Sequence, residues 1–260
     1  MMGRSEIAFP GKDDRMEKIA LITGASRGIG RETALRLWRG GCRVAINYQK
    51  SASAAEELAA ELNRLRPGSA FAVQADVSKR EEVLAMKAAV EGALGEVEIL
   101  VNNAGIAQQK LFTDLTDADW DRMFAVDVKG VFLCCQAFLP PMIRKKAGKI
   151  VNIASMWGQV GASCEVHYSA AKGAVIALTR ALAQEVGPSR IQVNCVSPGF
   201  IETEMNAALS PEAAAALIGE TPLGVAGQPA DVAEAVWFLA SPQSDFITGQ
   251  ILAPNGGMVL

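Results

Sequence analysis

The sequence predicts an α/β fold in which a doubly wound parallel sheet of about seven strands is covered by helices on both faces. Short apolar segments rich in Val and Ile alternate with longer helical patterns along the chain. Strands that are apolar on both sides are typical of a parallel sheet covered on both faces. The repeated β-α-β order favours the doubly wound topology.

The chain has 260 residues, of which 50% are hydrophobic, and this suits one domain with a large core. Residues 1–15 are polar and charged, so we expect a loose N-terminal extension there. A single domain is then expected over residues 16–260, because no linker or change in composition divides that part.

Length and periodicity assign each element. Strands are predicted at residues 18–23, 43–47, 70–74, 99–102, 149–154, 191–196 and 250–253. Helices are predicted at residues 28–39, 52–66, 80–94, 117–145, 166–186 and 229–240.

Two of these helices carry start signals. Ser78 opens a Ser-x-x-Glu capping box, and Thr116 is followed by acidic residues that suit a helix N-terminus. Residues 201–227 show no strand pattern, so this segment is expected to form a mobile lid or substrate loop.

Several functional classes are disfavoured. A net charge of −3 lacks the basic bias of a nucleic-acid binder. No apolar run reaches the roughly 18 residues that span a membrane, and residues 1–15 lack the apolar segment of a secretory signal. Five cysteines without a C-x-x-C pair predict free thiols and a reducing, cytoplasmic location.

The chain contains one histidine, His167, which excludes a multi-histidine metal site. We expect no metal. His167 precedes Tyr168, but neighbours on a helix point about 100° apart. A catalytic role for His167 is therefore disfavoured.

A glycine-rich turn between the first strand and the first helix predicts a nucleotide site. Glycines permit a tight turn and close approach to a pyrophosphate, and the helix N-terminus adds free N–H groups. The spacing G-x-x-x-G-x-G differs from the usual dinucleotide pattern, and a purely structural turn is the alternative. The candidate residues are Gly24, Ser26, Arg27, Gly28, Ile29 and Gly30.

The end of the second strand indicates which dinucleotide binds. An NAD site usually has an acidic residue there for the ribose 2′-hydroxyl. The segment Asn47-Tyr48-Gln49-Lys50-Ser51 has none. Arg27 and Lys50 can bind a 2′-phosphate, so NADP(H) is predicted. The alternative is that Lys50 is an ordinary surface lysine.

Two further turns follow strands and are expected to complete the cofactor site. Asp76 and Val77 suit the adenine end. Asn102, Asn103, Ala104 and Gly105 suit the loop beneath the cofactor. Ordinary turn chemistry is the alternative for both.

Tyr168 and Lys172 are four residues apart, which places them on one helix face. A neighbouring ammonium lowers the pKa of a phenol from its ordinary value of about 10. Such a phenol can exchange a proton with a carbonyl or alcohol oxygen, and Ser155 could bond the same oxygen. A solvated Tyr–Lys pair is the alternative.

Together these motifs resemble the short-chain dehydrogenase/reductase superfamily over about residues 16–260. The matching elements, in the order of that family, are Thr23-Gly24-x-x-x-Gly28-x-Gly30, Asn102-Asn103-Ala104-Gly105, Ser155, Tyr168-x-x-x-Lys172 and Ser197-Pro198-Gly199. The last third of the chain looks most like the β-ketoacyl-acyl-carrier-protein reductases, through the segments at 198–205, 222–229 and 247–258.

The resemblance implies a role for each matching residue. Tyr168 would be the general acid, Lys172 would lower its pKa and hold the nicotinamide ribose, and Ser155 would orient the carbonyl. Pro198, Gly199, Ile201 and Thr203 would contact the nicotinamide end. The resemblance also implies NADPH-dependent reduction of a 3-oxoacyl thioester and a homotetramer, with interfaces at the long helices after the fourth and fifth strands and at the C-terminal strand.

One position departs from the family. The family has a catalytic Asn in the helix after the fourth strand, and its spacing leads here to Asp127. An ionised Asp accepts hydrogen bonds but cannot donate them, and its charge should raise the pKa of Lys172. We expect activity to survive with an altered pH profile.

A basic cluster suggests a partner. Acyl carrier protein is acidic, so Arg144, Lys145, Lys146 and Arg190, with Lys149, could dock it or a CoA thioester. A solvated helix end is the alternative. Two other functions stay open: an NADP(H)-dependent reductase of another ketone, sugar or alcohol, and a non-catalytic NADPH-sensing protein.

Overall fold

The computed structural model describes residues 16–207 and 209–260. Its strands are β1 (Ile19–Ile22), β2 (Arg43–Tyr48), β3 (Ala70–Gln74), β4 (Ile99–Asn102), β5 (Gly148–Ile153), β6 (Ile191–Val196) and β7 (Ile251–Leu252). They form one parallel sheet in the order β3-β2-β1-β4-β5-β6-β7. The predicted seven-stranded parallel sheet is confirmed, and the expected extension at residues 1–15 lies outside the described residues.

The helices are α1 (Gly28–Arg39), α2 (Ala52–Leu65), α3 (Arg80–Ala93), α4 (Asp117–Phe124), α5 (Gly130–Lys145), α6 (Trp157–Val160), α7 (Val166–Val186), α8 (Pro211–Glu220) and α9 (Pro229–Ala240). The helix predicted at 117–145 is interrupted by a π-helical segment, Ala125–Lys129. The sequence patterns did not predict α6 or α8.

Helices cover both faces because successive strand side chains point to opposite sides. On β1, Ile22 packs into the core beneath α1, α2 and α9, and Leu21 packs into the core beneath α3, α5 and α7. Trp38 and Phe138 are the largest fully buried side chains of the two cores. Two apolar layers therefore hold the sheet between helices, as predicted.

One helical stretch, Asp117–Lys145, is long and apolar enough to cross a membrane by length and composition. Its longest uncharged run, residues 130–143, has 14 residues, so the expectation that no apolar run reaches about 18 residues is not contradicted. Half of its most apolar window is buried in the fold, where α5 packs Val131, Leu133 and Phe138 into the core. A core helix passes the same length test, so this stretch is weak evidence for a membrane span.

The two predicted helix starts differ in outcome. Thr116 forms a capping box with Asp119 at the start of α4, in agreement with the prediction. The capping box predicted at Ser78 is wrong, because α3 begins at Arg80 with Lys79 as its N-cap residue and no described side chain caps it. The Ser78 hydroxyl instead donates to the Asp76 carboxylate at 2.7 Å.

The sheet topology places the motifs together. β1 pairs with β2 on one side and with β4 on the other, so the chain reverses its winding direction between β1 and β4. Ligands of such sheets bind beyond the carboxyl ends of the strands at this point. The loops after β1, β4 and β5 meet there.

Candidate active site

The loop after β1 needs its glycines for close packing. Gly24 and Gly28 have φ angles of 63° and 54°, which favour glycine. A Cβ on Gly24 would lie 2.9 Å from Cα of Ala104, and one on Gly30 would lie 2.5 Å from the amide nitrogen of Asn103. Among the described residues no side chain caps α1, so its first N–H groups can serve an anion.

Polar side chains fix this loop. The Thr23 hydroxyl accepts from the backbone N–H groups of Asn103 and Ala104 at 2.9 and 3.0 Å. The Asn103 amide donates to the carbonyls of Thr23 and Gly24. Buried Asn47 accepts from Gly24 N–H at 3.2 Å and donates to the carbonyl of Ala75. Asn47 and Asn103, expected at the cofactor site, thus bond the backbone that forms the cradle.

The turn after β3, which is expected at the adenine end of the cofactor, is also ordered by side chains. Asp76 accepts from Ser78 through one oxygen and from Gln49 at 2.8 Å through the other. Burial raises the pKa of Asp76, but these hydrogen bonds outweigh it and hold the pKa below its usual value. Val77 is buried against Gly130. The turn therefore presents an ionised carboxylate beside β2.

The two cations predicted to bind a 2′-phosphate are both exposed. Arg27 lies in the glycine loop, and Lys50 follows β2 beside Ser51. Neither forms an ion pair within residues 16–207 and 209–260. Ser26 is buried and Ile29 packs against the core, so of the loop residues Arg27 is the one whose side chain faces solvent.

The predicted catalytic residues meet beyond β5. Ser155 is buried just after the strand, where its hydroxyl accepts from Trp157 N–H at 3.2 Å. On α7 the Lys172 ammonium lies 5.6 Å from the centre of the Tyr168 ring and donates to the carbonyl of Ile153 at 3.1 Å. The helix face predicted from the spacing thus points at the end of β5.

The phenol of Tyr168 differs from the expectation in one respect. Burial raises the pKa of Tyr168 most, and the charge of Asp127 raises it further. Lys172 and a hydrogen bond with Ser155 lower it, but the net pKa lies above its ordinary value of 10.0. The expected effect of Lys172 is present and is outweighed, so the phenol stays protonated.

Asp127 occupies the π-helical segment and is fully buried. One carboxylate oxygen accepts from Ile106 N–H at 2.9 Å, and the other lies 3.0 Å from the Lys172 ammonium. Burial lowers the pKa of Lys172, but Asp127 and Tyr168 outweigh it and raise the pKa, as predicted. Local π-helical turns are common at functional sites. Here the π-helical turn places the Asp127 carboxylate beside the Lys172 ammonium.

Gly105 makes room for this ion pair. A Cβ at position 105 would lie 2.8 Å from a carboxylate oxygen of Asp127 and 3.2 Å from the ammonium of Lys172. Cβ atoms in proteins almost never lie as close to another atom as 2.8 Å. The glycine expected beneath the cofactor is therefore required by the pair of charges behind it.

The segment after β6, which is expected to contact the nicotinamide, packs against the residues that follow β5. Pro198 accepts from Met156 N–H, which ties this segment to the residue after Ser155. A Cβ on Gly199 would lie 2.7 Å from Cα of Asn255. Ile201 is buried, and Thr203 lies beside Gly28. Phe200, Thr203 and Gly28 line a cavity of about 700 Å³, which can hold a ligand the size of a cofactor portion.

The segment predicted as a lid, residues 201–227, is partly helical. Its ends are joined by a bridge between Ile201 and Gly227, and α8 lies between them. Among the apolar side chains of this segment, Ala207 is exposed, and Leu209, Leu217 and Ile218 are half-buried. Ala208 lies outside the described residues.

His167 does not join the catalytic residues through a hydrogen bond. It is fully buried, and its Nε2 lies 3.1 Å from the side-chain oxygen of Gln108. Burial lowers the pKa of His167.

The basic cluster lies at the other edge of the sheet. Lys146 and Arg190 are exposed and precede β5 and β6, whereas Ser155 follows β5. A six-residue strand spans about 20 Å, so the cluster and the chain's own active site are separated by at least that length.

Three members of the cluster have partners. Arg144 and Lys145 both pair with Glu96, at 3.1 and 2.9 Å. Lys149 is 3% exposed and pairs with Asp245 at 2.7 Å. Its inclusion in a docking surface is wrong, because a partner cannot reach a buried ammonium.

Comparisons with known proteins match this geometry. A family model described as enoyl-(acyl carrier protein) reductase covers residues 24–259. The 3-oxoacyl-[acyl-carrier-protein] reductase FabG of Staphylococcus aureus (strain Mu50 / ATCC 700699) is 42% identical over 246 residues, covering 95% of this chain and 100% of the relative. The 3-oxoacyl-[acyl-carrier-protein] reductase of Synechocystis is 40% identical over 244 residues, covering 94% and 97%.

A solved structure agrees over the whole fold. A crystal structure from Agrobacterium tumefaciens, described as a "putative gluconate dehydrogenase", superposes with a TM-score of 0.90 at 35% identity. The match covers 95% of this chain and 98% of that one.

The chain belongs to the short-chain dehydrogenase/reductase family. It is an oxidoreductase that acts on CH–OH or C=O groups with a nicotinamide cofactor. The predicted resemblance to 3-oxoacyl-[acyl-carrier-protein] reductases is confirmed by the names of these relatives. The alternative of a non-catalytic sensor is not supported by this assignment.

Proposed function

We propose that this enzyme uses NADPH to reduce a 3-oxoacyl thioester, carried by acyl carrier protein, to the 3-hydroxyacyl thioester. The observation that carries the proposal is the grouping of Ser155, Tyr168 and Lys172 at the end of β5, with the Lys172 ammonium 5.6 Å from the centre of the Tyr168 ring. The names of relatives at 40–42% identity supply the substrate class.

Each catalytic residue has one task in this reaction. Ser155 and Tyr168 donate hydrogen bonds to the substrate carbonyl oxygen, which polarises the carbonyl. Bound NADPH supplies the hydride to the carbonyl carbon. Tyr168 gives its proton to the oxygen, and the charge of Lys172 stabilises the phenolate that remains. A pKa above the ordinary value keeps Tyr168 in the form that can donate.

Asp127 acts through Lys172. Its carboxylate fixes the ammonium at 3.0 Å, and the carbonyl of Ile153 fixes it from another side at 3.1 Å. We propose that Asp127 is a positioning residue that keeps Lys172 charged and directed toward Tyr168 and the cofactor ribose.

The glycine cradle and the two exposed cations support NADPH over NADH. No carboxylate lies on the β2 turn to receive a ribose 2′-hydroxyl, since residues 47–51 contain none. Arg27 and Lys50 have no acidic partner within the described ranges, so a 2′-phosphate can pair with both. The cofactor would lie along Gly24–Gly30, Asp76–Val77 and Asn103–Gly105, with its nicotinamide near Pro198–Thr203.

A homotetramer is proposed from the family resemblance and from exposed apolar side chains. Phe132 on α5 is 42% exposed, and Phe246 before β7 is fully exposed. Both lie where the resemblance implies interfaces. Light scattering after size-exclusion chromatography is expected to give four times the chain mass, and Phe132→Glu to lower it.

Docking of acyl carrier protein depends on that assembly. Lys146 and Arg190 lie at the far edge of the sheet from the active site of their own chain. We propose that they serve the site of another subunit. Lys146→Glu with Arg190→Glu should raise KM for the carrier-protein substrate and leave KM for acetoacetyl-CoA unchanged. Equal effects on both substrates would exclude docking there.

A second candidate is reduction or oxidation of a free sugar acid or other alcohol. The description of the Agrobacterium structure favours it. The chemistry of Ser155, Tyr168 and Lys172 would be the same, so only the substrate separates the two candidates.

The test is NADPH oxidation, followed with acetoacetyl thioesters of acyl carrier protein and of coenzyme A, with NADH and with gluconate plus NADP⁺ in parallel. Turnover of the thioesters with NADPH preferred is the expected result. Turnover of gluconate without turnover of the thioesters would assign the second function.

The enzyme is expected in a reducing cytoplasm, since all five cysteines are free thiols.

A further inference from the structure

The loop between β4 and α4 forms a wall beside the catalytic residues. Its Ile106 N–H donates to Asp127, which contacts Lys172. Its Lys110 N–H donates to the carbonyl of Cys164 at 2.8 Å, four residues before Tyr168. Residues 106–110 therefore run along the start of α7, from the catalytic lysine to the segment that precedes the tyrosine.

A chain of side-chain hydrogen bonds holds this wall to α7. His167 Nε2 lies 3.1 Å from the oxygen of Gln108, and the Gln108 nitrogen donates to Asp119 at 3.0 Å. Asp119 also pairs with Lys110 at 2.7 Å. The chain begins one residue before Tyr168 and ends at the N-terminus of α4.

The direction of these bonds fixes the tautomer of His167. A carboxylate only accepts, so Gln108 must present its nitrogen to Asp119 and its oxygen to His167. The hydrogen of neutral His167 is therefore on Nε2. Its Nδ1 is buried and has no hydrogen-bond partner among the described residues. Protonation would place a second N–H at Nδ1, where no acceptor receives it.

The charges around the imidazole come from several elements. Asp119 on α4 and Asp127 on the π-helical segment raise the pKa of His167, and Lys110 on the loop lowers it. Tyr168 is the next residue on α7, and Lys172 lies a turn further on. Burial has the largest effect and sets the pKa below its ordinary 6.5.

We propose that His167 is a positioning residue that holds residues 106–110 against α7 only while its imidazole is neutral. At acid pH the wall is released, and binding of the carbonyl substrate weakens. The substrate effect rests on the proposed function, whereas release of the loop does not.

The direction and size of the pH effect follow from the linkage between protonation of His167 and opening of the loop. A histidine whose pKa is lower in the closed state than in the open state favours the open state as pH falls below 6.5. The effect stops growing once pH passes the lowered pKa. At pH 5.5 the equilibrium between closed and open loop shifts toward the open state by at most about tenfold, because pH 5.5 is one unit below 6.5 and one pH unit corresponds to a factor of ten. KM for acetoacetyl-CoA should rise by up to that factor between pH 7.5 and 5.5.

The experiment uses the full chain without a histidine tag, because His167 is its only histidine. Labelling the imidazole with ¹³C gives a single resonance whose titration belongs to His167. Hydrogen exchange of residues 106–110, corrected for the intrinsic pH dependence, reports the loop at pH 7.5 and 5.5. The expected results are a pKa below 6.5 and faster exchange at pH 5.5.

Two variants separate positioning from mere folding. His167→Gln keeps an N–H near the Nε2 position but cannot titrate, so protection of the loop and KM should no longer depend on pH between 7.5 and 5.5. Gln108→Ala should expose the loop at both pH values and raise KM severalfold. Ser53→Ala, which loses an exposed hydrogen bond to Glu57 within α2, is the control and should behave as wild type.

Either of two results would overturn the proposal: wild-type loop exchange that is independent of pH, or a Gln108→Ala loop that stays protected. If no thioester is turned over but the loop responds as described, the proposed substrate is wrong and the role of His167 stands.

Discussion

The two halves of the active site differ in how their cationic side chains are placed: one half buries and pairs its lysine, and the other exposes its cations. At the proposed nicotinamide end, Lys172 and Asp127 are 6% and 0% exposed and are already paired. At the proposed adenosine end, Arg27 and Lys50 are exposed and have no acidic partner in the described part of the chain. The first pair of charges is organised without a ligand, and we propose that Arg27 and Lys50 form their ion pairs with the 2′-phosphate of the cofactor.

The difference has a physical basis. Charges aimed at the developing oxyanion are effective when they are fixed and shielded from water, so the catalytic end must bury its ion pair. A 2′-phosphate is a full charge that exposed side chains can pair with directly, at the cost of screening by salt. Changes at the catalytic end should therefore affect kcat, and changes at the adenosine end should affect cofactor affinity.

The largest effect is expected from Tyr168→Phe. Removing the hydroxyl removes the general acid, which contributes about 10²–10⁴-fold to rate. We expect kcat to fall by that factor while the Kd for NADPH, measured by cofactor fluorescence, stays within a factor of two or three. A variant that keeps more than a tenth of wild-type kcat would show that another group donates the proton.

A smaller loss of kcat is expected from Gly105→Ala. The added methyl group would displace Asp127 or Lys172, because it would lie 2.8 and 3.2 Å from their charged atoms. We expect kcat to fall about 10–100-fold, the range in which a small misplacement near the chemistry acts. The control is Gly92→Ala on α3, where a Cβ meets nothing within 4 Å. This control should keep full activity and gain about 1 kcal/mol of stability.

Arg27→Ala with Lys50→Ala tests the adenosine end. The double variant should raise KM for NADPH about 10–100-fold, because charge-assisted hydrogen bonds contribute about 1.5–3 kcal/mol each before screening. KM for NADH should not change. Wild-type preference for NADPH should also weaken at high salt. Lys87→Ala, which removes the half-buried pair with Glu91 on α3, is the control and should leave both constants unchanged. An equal rise in KM for NADH would contradict the assignment.

The smallest expected change is a shift in the pH profile of Asp127→Asn. Asp127 raises the pKa of both Tyr168 and Lys172, so its neutralisation lowers both. Reduction needs protonated Tyr168, and therefore the alkaline fall in kcat should begin at a lower pH than in wild type. Asp121→Asn, an exposed change on α4, is the control. An alkaline limb that does not move would show that Asp127 does not act on the tyrosine.

Local patterns in the sequence were enough to predict the sheet and most helices. β3, β4 and β6 have the predicted bounds, because buried parallel strands are continuous apolar segments with clear ends. Two helices were missed for different reasons. α6 has four residues and too little periodicity to detect, and α8 lies in an alanine-rich segment whose apolar face is weakly defined.

The site was predictable in its residue types and less so in its electrostatics. Spacing alone placed Tyr168 and Lys172 on one face. The sign of the Tyr168 pKa shift depends on burial and on the distance to Asp127, which tertiary packing decides. The same holds for the contacts of Gln108, whose neighbours in the sequence do not show that Asp119 and His167 will bond it.

The separation of the two halves is tested most directly by measuring kcat and the Kd for NADPH in a double-mutant cycle of Tyr168→Phe with Arg27→Ala/Lys50→Ala. The tyrosine change should alter only kcat, the cation changes should alter only Kd, and the combined variant should show both effects, with a kcat/Kd changed by their product. The two halves are not separate if the tyrosine change weakens NADPH binding as much as the cation changes do. The same conclusion follows if the cation changes lower kcat at saturating NADPH as much as the tyrosine change does.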